Sequence, residues 1–99
     1  MLHEGINNAL THGMLRITTV EDGPKTVVHV DGRLDKQGTE ALEQLCKRLR
    51  GPISLDLSEL RSVDDSGIRT LWAMEQNSVI LKHVSPYLEL LLGRRSGRQ

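Results

Sequence analysis

Segments with strand periodicity and segments with helix periodicity alternate along this chain, and this alternation restricts the possible folds more than any other feature. Between residues 14 and 30, apolar and polar residues alternate on both sides of the turn sequence Glu21-Asp22-Gly23-Pro24, which predicts a β-hairpin. From Glu40 to Arg50 the apolar residues recur at helical spacing, and Gly51-Pro52 ends that helix.

The same change of period occurs again in the second half of the chain. Residues 53–57 alternate and predict a strand, residues 66–77 predict a helix, and residues 79–81 predict a short buried strand. Ser85-Pro86 opens a last helix that runs through Leu92. The predicted order β-β-α-β-α-β-α implies an α/β domain with a mixed four-stranded sheet and helices packed on it, parallel where helices make the crossovers.

The chain of 99 residues is long enough for one domain. We expect that domain to span residues 14–93, between a loose N-terminal segment, 1–13, and a basic flexible tail, 94–99. The positions that repeat at the period of their own segment predict an aliphatic core of Leu15, Ile17, Val28, Val30, Leu42, Leu45, Leu55, Leu71, Ile80 and Leu91.

Composition and charge exclude several classes of protein. No apolar run reaches the length of a transmembrane helix, the first residues do not resemble a signal peptide, and a lone cysteine indicates a reducing cytoplasm. Residues 1–93 hold 10 of the 13 basic residues and all 13 acidic ones, and aromatic residues make up 2%. A body of formal charge −3 with few aromatic residues argues against a nucleic-acid site, and the arginines of the tail are typical of a solvated terminus.

Catalytic chemistry has little support in the sequence. The four histidines are scattered, so we expect no metal, and without a phosphate-binding glycine loop we expect no cofactor. Ser66 follows two aspartates and lacks the Gly-x-Ser-x-Gly elbow of hydrolases. Cys46 lies on the apolar side of a helix, where a thiol acts as a small hydrophobe. We therefore expect a protein that is not an enzyme.

The segment from Asp56 to Ile68 is the most informative. It leads from a strand through a short polar loop, residues 58–63, to Ser66 at the start of a helix; we call this loop the polar crossing. Free backbone N–H groups at a helix start attract anions. One interpretation is a helix cap, provided by Ser66, Asp64 or Asp65. The other is an exposed hydroxyl presented for chemistry, with Gly67 removing bulk beside it.

Together the string D-L-S-x-x-x-x-V-D-x-S-G-I, the upstream V-D-G-R-L-D and the downstream V-S-P-Y-L-E-L-L resemble STAS domains, in particular bacterial anti-sigma factor antagonists. The resemblance covers about residues 14–92. It implies that a kinase-type anti-sigma factor phosphorylates Ser66, that the unmodified protein binds this serine kinase and frees a sigma factor, and that a phosphatase, possibly of the PP2C type, reverses the switch. Asp64 matches the aspartate that precedes the acceptor in the family.

Ser66, Arg69 and the loop of residues 58–63 are expected to converge at one place, and loops on a rigid scaffold commonly carry function, which predicts the partner-binding surface. We expect it at the first turn of the second helix and the polar crossing before it, formed by Asp64, Asp65, Gly67, Arg69, Ser58 and Ser62, with Asp22 of the hairpin turn joining this face. An alternative is a STAS subunit of a larger assembly, such as a lipid-transport or stress-signalling complex, that works without phosphorylation. A small hydrolase that uses Ser66 is the least favoured alternative.

Overall fold

A computed structural model describes residues 6–93 of the chain. Within that range the elements are β1 (Ile6–His12), β2 (Leu15–Asp22), β3 (Lys25–Leu34), α1 (Lys36–Arg48), β4 (Ile53–Asp56), β5 (Leu60–Val63), α2 (Asp65–Gln76), β6 (Ile80–Lys82) and α3 (Pro86–Leu91). The predicted class, an α/β domain with a mixed sheet and helices packed on it, is confirmed.

The strands form one sheet in the order β1-β2-β3-β4-β6, and β5 pairs with β3 outside this path. β1 pairs with β2, and β2 with β3, in antiparallel fashion. β4 and β5 pair with β3 in parallel, and β6 pairs with β4 in parallel, as crossovers through helices require. One buried cluster joins the sheet to the helices, and its sheet side comes from β2, β3, β4 and β6: Leu15, Ile17, Val28, Val30, Leu34, Leu55 and Leu81.

The ten-residue strand β3 organises the domain because it pairs with two strands in succession along one side. Its first half, from Thr26 to His29, pairs with β4, and its last residues, from Gly32 to Leu34, pair with β5. An aspartate follows the end of each of the paired strands β3 and β5. Asp35 lies between β3 and α1, and Asp64 lies between β5 and α2. The length of β3 therefore places the starts of both helices side by side at one end of the sheet.

Two strands of the described chain were missing from the predicted four-stranded sheet. Residues 6–12, expected to be part of a loose segment, form β1, and the backbone turns at Gly13 (φ 62°) to pair with β2. The asparagine pair in this stretch breaks the apolar alternation, so only pairing of the backbone reveals the strand. Residues 60–63, expected to be part of a polar crossing, form β5, whose two middle side chains are exposed. Residues 1–5 and the tail, 94–99, lie outside the described residues.

The predicted core is correct at eight of its ten positions, which are between 0% and 4% exposed. The prediction is wrong for Ile80 and Leu91, which are 55% and 38% exposed. Ile80 lies on an edge strand and points to the face away from the helices, because its neighbour Leu81 faces the core. The inward positions here are Leu88, in α3, and Leu92, directly after it. Leu91 lies about 100° around the helix from Leu92 and about 60° from Leu88, toward the exposed side.

Candidate functional site

The residue that caps α2 is Asp64. Its backbone is extended (φ −94°, ψ −176°), and its Oδ1 accepts a hydrogen bond of 3.0 Å from the backbone N–H of Gly67. Its own N–H donates to the carbonyl oxygen of Leu34 at 3.1 Å, which fixes the start of α2 to the end of β3. Of the three candidate caps in the sequence, the structure therefore selects Asp64, and neither Asp65 nor Ser66 performs that role.

Ser66 is the second residue of α2 and is half-buried. Because Asp64 makes the capping bond, the hydroxyl of Ser66 is not required for it, and this hydroxyl makes no hydrogen bond to another residue within 6–93. The exposed carboxylate of Asp65 precedes it in the first turn. The first-turn N–H groups and the helix dipole favour negative charge at this position, so the helix start tolerates Asp65 and could tolerate a further anion.

Gly67 has a packing role that the sequence does not predict. It is buried, and a Cβ built on it would overlap Cγ2 of Val63 and lie 3.1 Å from Cδ2 of Leu34. The first turn of α2 therefore lies directly on the ends of β3 and β5, and only glycine permits that approach. This contact with the strands is a second role for Gly67, beside the sequence prediction that it removes bulk next to Ser66.

Arg69 and Thr70 follow Ser66 by one turn and lie on different sides of α2. Arg69 is exposed and shares a helical face with Ser66, because residues three apart are neighbours on a helix. The hydroxyl of Thr70 donates to Oε2 of Glu43 at 3.2 Å, which ties α2 to α1. Arg69 is thus a group on the free side of the helix, and Thr70 belongs to the contact between the helices.

The two predicted serines of the polar crossing occupy different places. Ser62, in β5, lines a cavity of about 100 Å³ together with Arg33, Asp35 and Asp64, so it borders the start of α2. Ser58 lies in the turn between β4 and β5, where its N–H donates to Oδ1 of Asp56 at 3.0 Å. The structure therefore brings Ser62 to the predicted surface and separates Ser58 from it by the length of β5.

Asp22 also lies away from this surface. It belongs to the turn between β2 and β3, where its carboxylate is 3.8 Å from Nζ of Lys25. The start of α2 lies beside Leu34, at the other end of β3, and a strand of this length spans about 30 Å. The expectation that Asp22 joins the predicted surface is wrong, because the hairpin turn and the carboxyl ends of the parallel strands lie at opposite edges of the sheet.

A second polar cluster, which the sequence did not predict, lies on the face of the sheet away from the helices. Oδ2 of Asp56 is 3.4 Å from Nδ1 of His29, and Oδ1 is 3.1 Å from Nδ1 of His83. Burial acts to raise the pKa of Asp56, but hydrogen bonds from Ser58 and His83 and the charge of His29 outweigh it, so that the pKa lies below its ordinary value. The strand register that pairs His29 with Asp56 brings these groups together. The sequence alone does not predict that register.

Two further kinds of chemistry-bearing group in residues 6–93 are the Cys46 thiol and the side chains that can bind metal ions. Burial raises the pKa of the Cys46 thiol to about 11, so the side chain is a neutral apolar group at neutral pH. Among residues 6–93, no group of three or more histidine, cysteine, aspartate or glutamate side chains could hold a metal ion. The helices that the structure describes are all too short or too polar to cross a membrane.

The fold and the site together define a small α/β domain that presents a serine with an unengaged hydroxyl at a helix start. A family model described as "Mlab, STAS domain" matches residues 17–92. The chain therefore belongs to the STAS domain family, as the sequence motifs indicated.

One solved structure, titled "Crystal Structure Analysis of Mglu", shares this fold with a TM-score of 0.55 and 21% sequence identity. The match covers 69% of this chain and 19% of that chain, so the likeness concerns one part of a much larger protein. No curated protein sequence matches the chain.

Proposed function

We propose that this STAS domain is an anti-sigma factor antagonist that binds a kinase-type anti-sigma factor in the cytoplasm and is switched off when that kinase phosphorylates Ser66. The observation that carries the proposal is the division of roles at the start of α2. Asp64 makes the capping bond to Gly67, so the hydroxyl of Ser66 can be modified without removing the cap.

The charge balance around Ser66 supports a switch that acts on binding and leaves the fold intact. A phosphate adds about −1.5 to −2 charges. The helix dipole and Arg69, one turn away on the same face, favour that charge, and Asp64 and Asp65 oppose it. A partner packed on this turn would meet the added charge and bulk directly. A hundredfold loss of affinity, sufficient for release, corresponds to about 2.7 kcal/mol.

The experiment measures modification and binding on the same variants. Intact mass after incubation with the candidate serine kinase and ATP should show one added phosphate on the wild type and on Ser62→Ala, and none on Ser66→Ala. Ser66→Ala should bind the kinase constitutively, and Ser66→Asp should bind about a hundredfold more weakly with an unchanged melting temperature. The proposal fails if both Ser66 variants bind equally well and no phosphate is found on Ser66. A PP2C-type phosphatase should remove the phosphate.

A second candidate function is a STAS subunit of a larger assembly, such as a lipid-transport or stress-signalling complex, that works without phosphorylation. The exposed Asp65, directly before the half-buried Ser66, favours this alternative because its carboxylate repels a neighbouring phosphate. The matched family model is also described by the name Mlab. Co-purification of the chain in a stable complex that the Ser66→Asp substitution does not disturb would support this function over the first.

A further inference from the structure

Both large aromatic residues of the chain lie on its surface. Trp72 is 52% exposed in α2 and Tyr87 is 63% exposed in α3, and the sequence contains no phenylalanine and no further tyrosine or tryptophan. The buried cluster is made of leucine, isoleucine and valine, so neither ring forms part of the core. Tryptophan carries a large apolar surface and is one of the residue types that contribute most to affinity at protein interfaces. Trp72 is therefore suited to a contact outside the domain.

Trp72 shares one face of α2 with the first turn of the helix. Four exposed residues follow the spacing of a single helical stripe, which we call the outer stripe of α2: Asp65, Arg69, Trp72 and Gln76. Gly67 and Leu71 are buried on the other side of the helix. Ser66 borders the outer stripe at its start, because it follows Asp65 directly and lies one turn before Arg69. A partner that covers the first turn of α2 therefore meets this stripe next.

The area of a stable interface requires that partner to extend beyond the first turn of α2. Such an interface buries about 800 Å² on each partner, and one helical turn, with a rise of about 5.4 Å, supplies far less. α2 has 12 residues, so the outer stripe continues the contact from Ser66 over about three turns. Tryptophan and arginine at the centre of an interface commonly dominate its affinity, and the middle of this stripe consists of Arg69 and Trp72.

We propose that the kinase-type anti-sigma factor covers the outer stripe of α2, receives the indole of Trp72 in an apolar pocket and pairs an acidic side chain with Arg69. This contact rests on the proposed function, because its partner is the kinase that modifies Ser66. Arg69 is exposed and has no ion pair within residues 6–93, so its guanidinium can bind a carboxylate of the partner. Trp72 is the anchor of the contact, and Arg69 gives it a charge requirement.

The first test observes Trp72 without any substitution. Trp72 is the only tryptophan of the chain, so labelling with 5-fluorotryptophan gives the full chain a single fluorine NMR resonance. Titration with the unlabelled serine kinase should shift this resonance until the chain is saturated. Raising the concentration of the chain alone should leave the resonance in place. A shift in that control would show that a second copy covers Trp72, and it would overturn the proposal.

The second test measures affinity for the serine kinase by titration calorimetry. Trp72→Ala should bind about a hundredfold more weakly than the wild type, and Arg69→Gln about tenfold more weakly. Ile80→Ala is a matched control and should bind as the wild type does, because Ile80 is exposed to a similar degree (55%) but lies on the face of the sheet away from the helices. An unchanged melting temperature would show that Trp72→Ala folds.

The outcomes separate this contact from the proposed function. If the wild type binds the kinase and Trp72→Ala binds it equally well, the contact through Trp72 is wrong and the proposed function stands. If the wild type neither binds the kinase nor gains a phosphate on Ser66, the proposed function fails and the contact through Trp72 fails with it.

Discussion

Adding one methyl group at Gly67 should destabilise the domain even though alanine is the better helix former. Within a helix, alanine is favoured over glycine by about 1 kcal/mol. Against that gain, the new Cβ would overlap Cγ2 of Val63 and lie 3.1 Å from Cδ2 of Leu34. Val63 is β-branched and therefore stiff, and Leu34 is 0% exposed, so neither side chain can move aside easily. Overpacking of this kind costs about 1–3 kcal/mol, and the overlap with Val63 places Gly67→Ala in the upper part of that range. After the helix-propensity gain of about 1 kcal/mol is subtracted, we expect the free energy of unfolding to fall by about 1–2 kcal/mol.

Urea denaturation followed by circular dichroism measures this change. Ala73→Gly, at an exposed position of α2, calibrates the helix-propensity term at about 1 kcal/mol. In a Val63→Ala background the overlapping methyl group is absent, so Gly67→Ala should there be neutral or stabilising. The reasoning is refuted if Gly67→Ala is as stable as the wild type, or if removing the Val63 methyl groups leaves its effect unchanged.

Three further changes test other parts of the structure. Asp64→Ala should lower stability by about 1 kcal/mol because α2 loses its cap, and Asp64→Asn should keep most of the stability that the cap contributes. Thermal melts of both variants check this. Leu55→Ala, at a position 0% exposed, should cost about 2–5 kcal/mol, and Leu90→Ala, 77% exposed, should leave the urea midpoint nearly unchanged. Because the folded pKa of Asp56 lies below its ordinary value, its contribution is present above the unfolded pKa of about 4 and is lost as pH falls through the folded value. Asp56→Asn should therefore reduce the acid dependence of unfolding measured below pH 5, and an unchanged slope would contradict this.

Periodicity was enough to predict most of the fold because most elements bury one side. Apolar and polar residues alternate along β2, β3 and β4, and α1 repeats its apolar residues at helical spacing. Each of these elements could therefore be assigned from its own residues. β5 could not, because its four residues are held by backbone pairing to β3 and two of their side chains face solvent. Ile80 was misplaced for a related reason, since three apolar residues in a row do not show which of them faces the core.

The candidate site was predicted in part. The sequence placed Ser66, Asp64 and Gly67 at a helix start, because a serine, two aspartates and a glycine follow a strand. It left the identity of the cap open, since a carboxylate and a hydroxyl can both accept the bond, and it could not show that Gly67 contacts the strands. The cavity beside Arg33 and Ser62 depends on the parallel pairing of β3 with β5, which spans residues far apart in the chain.

Asp65 tests whether the proposed switch acts through charge. In the free protein, water screens the repulsion between the exposed Asp65 carboxylate and a charge on Ser66. A partner that covers the first turn of α2 removes that water, and the same pair of charges then repels more strongly. The penalty of Ser66→Asp should thus arise mainly in the complex, and Asp65→Asn should restore about tenfold of the lost affinity. Titration calorimetry of the single and double variants against the serine kinase measures this coupling. Ser62→Asn is the control and should restore nothing. If the double variant binds as weakly as Ser66→Asp alone, the added bulk at Ser66, and not its charge, prevents docking.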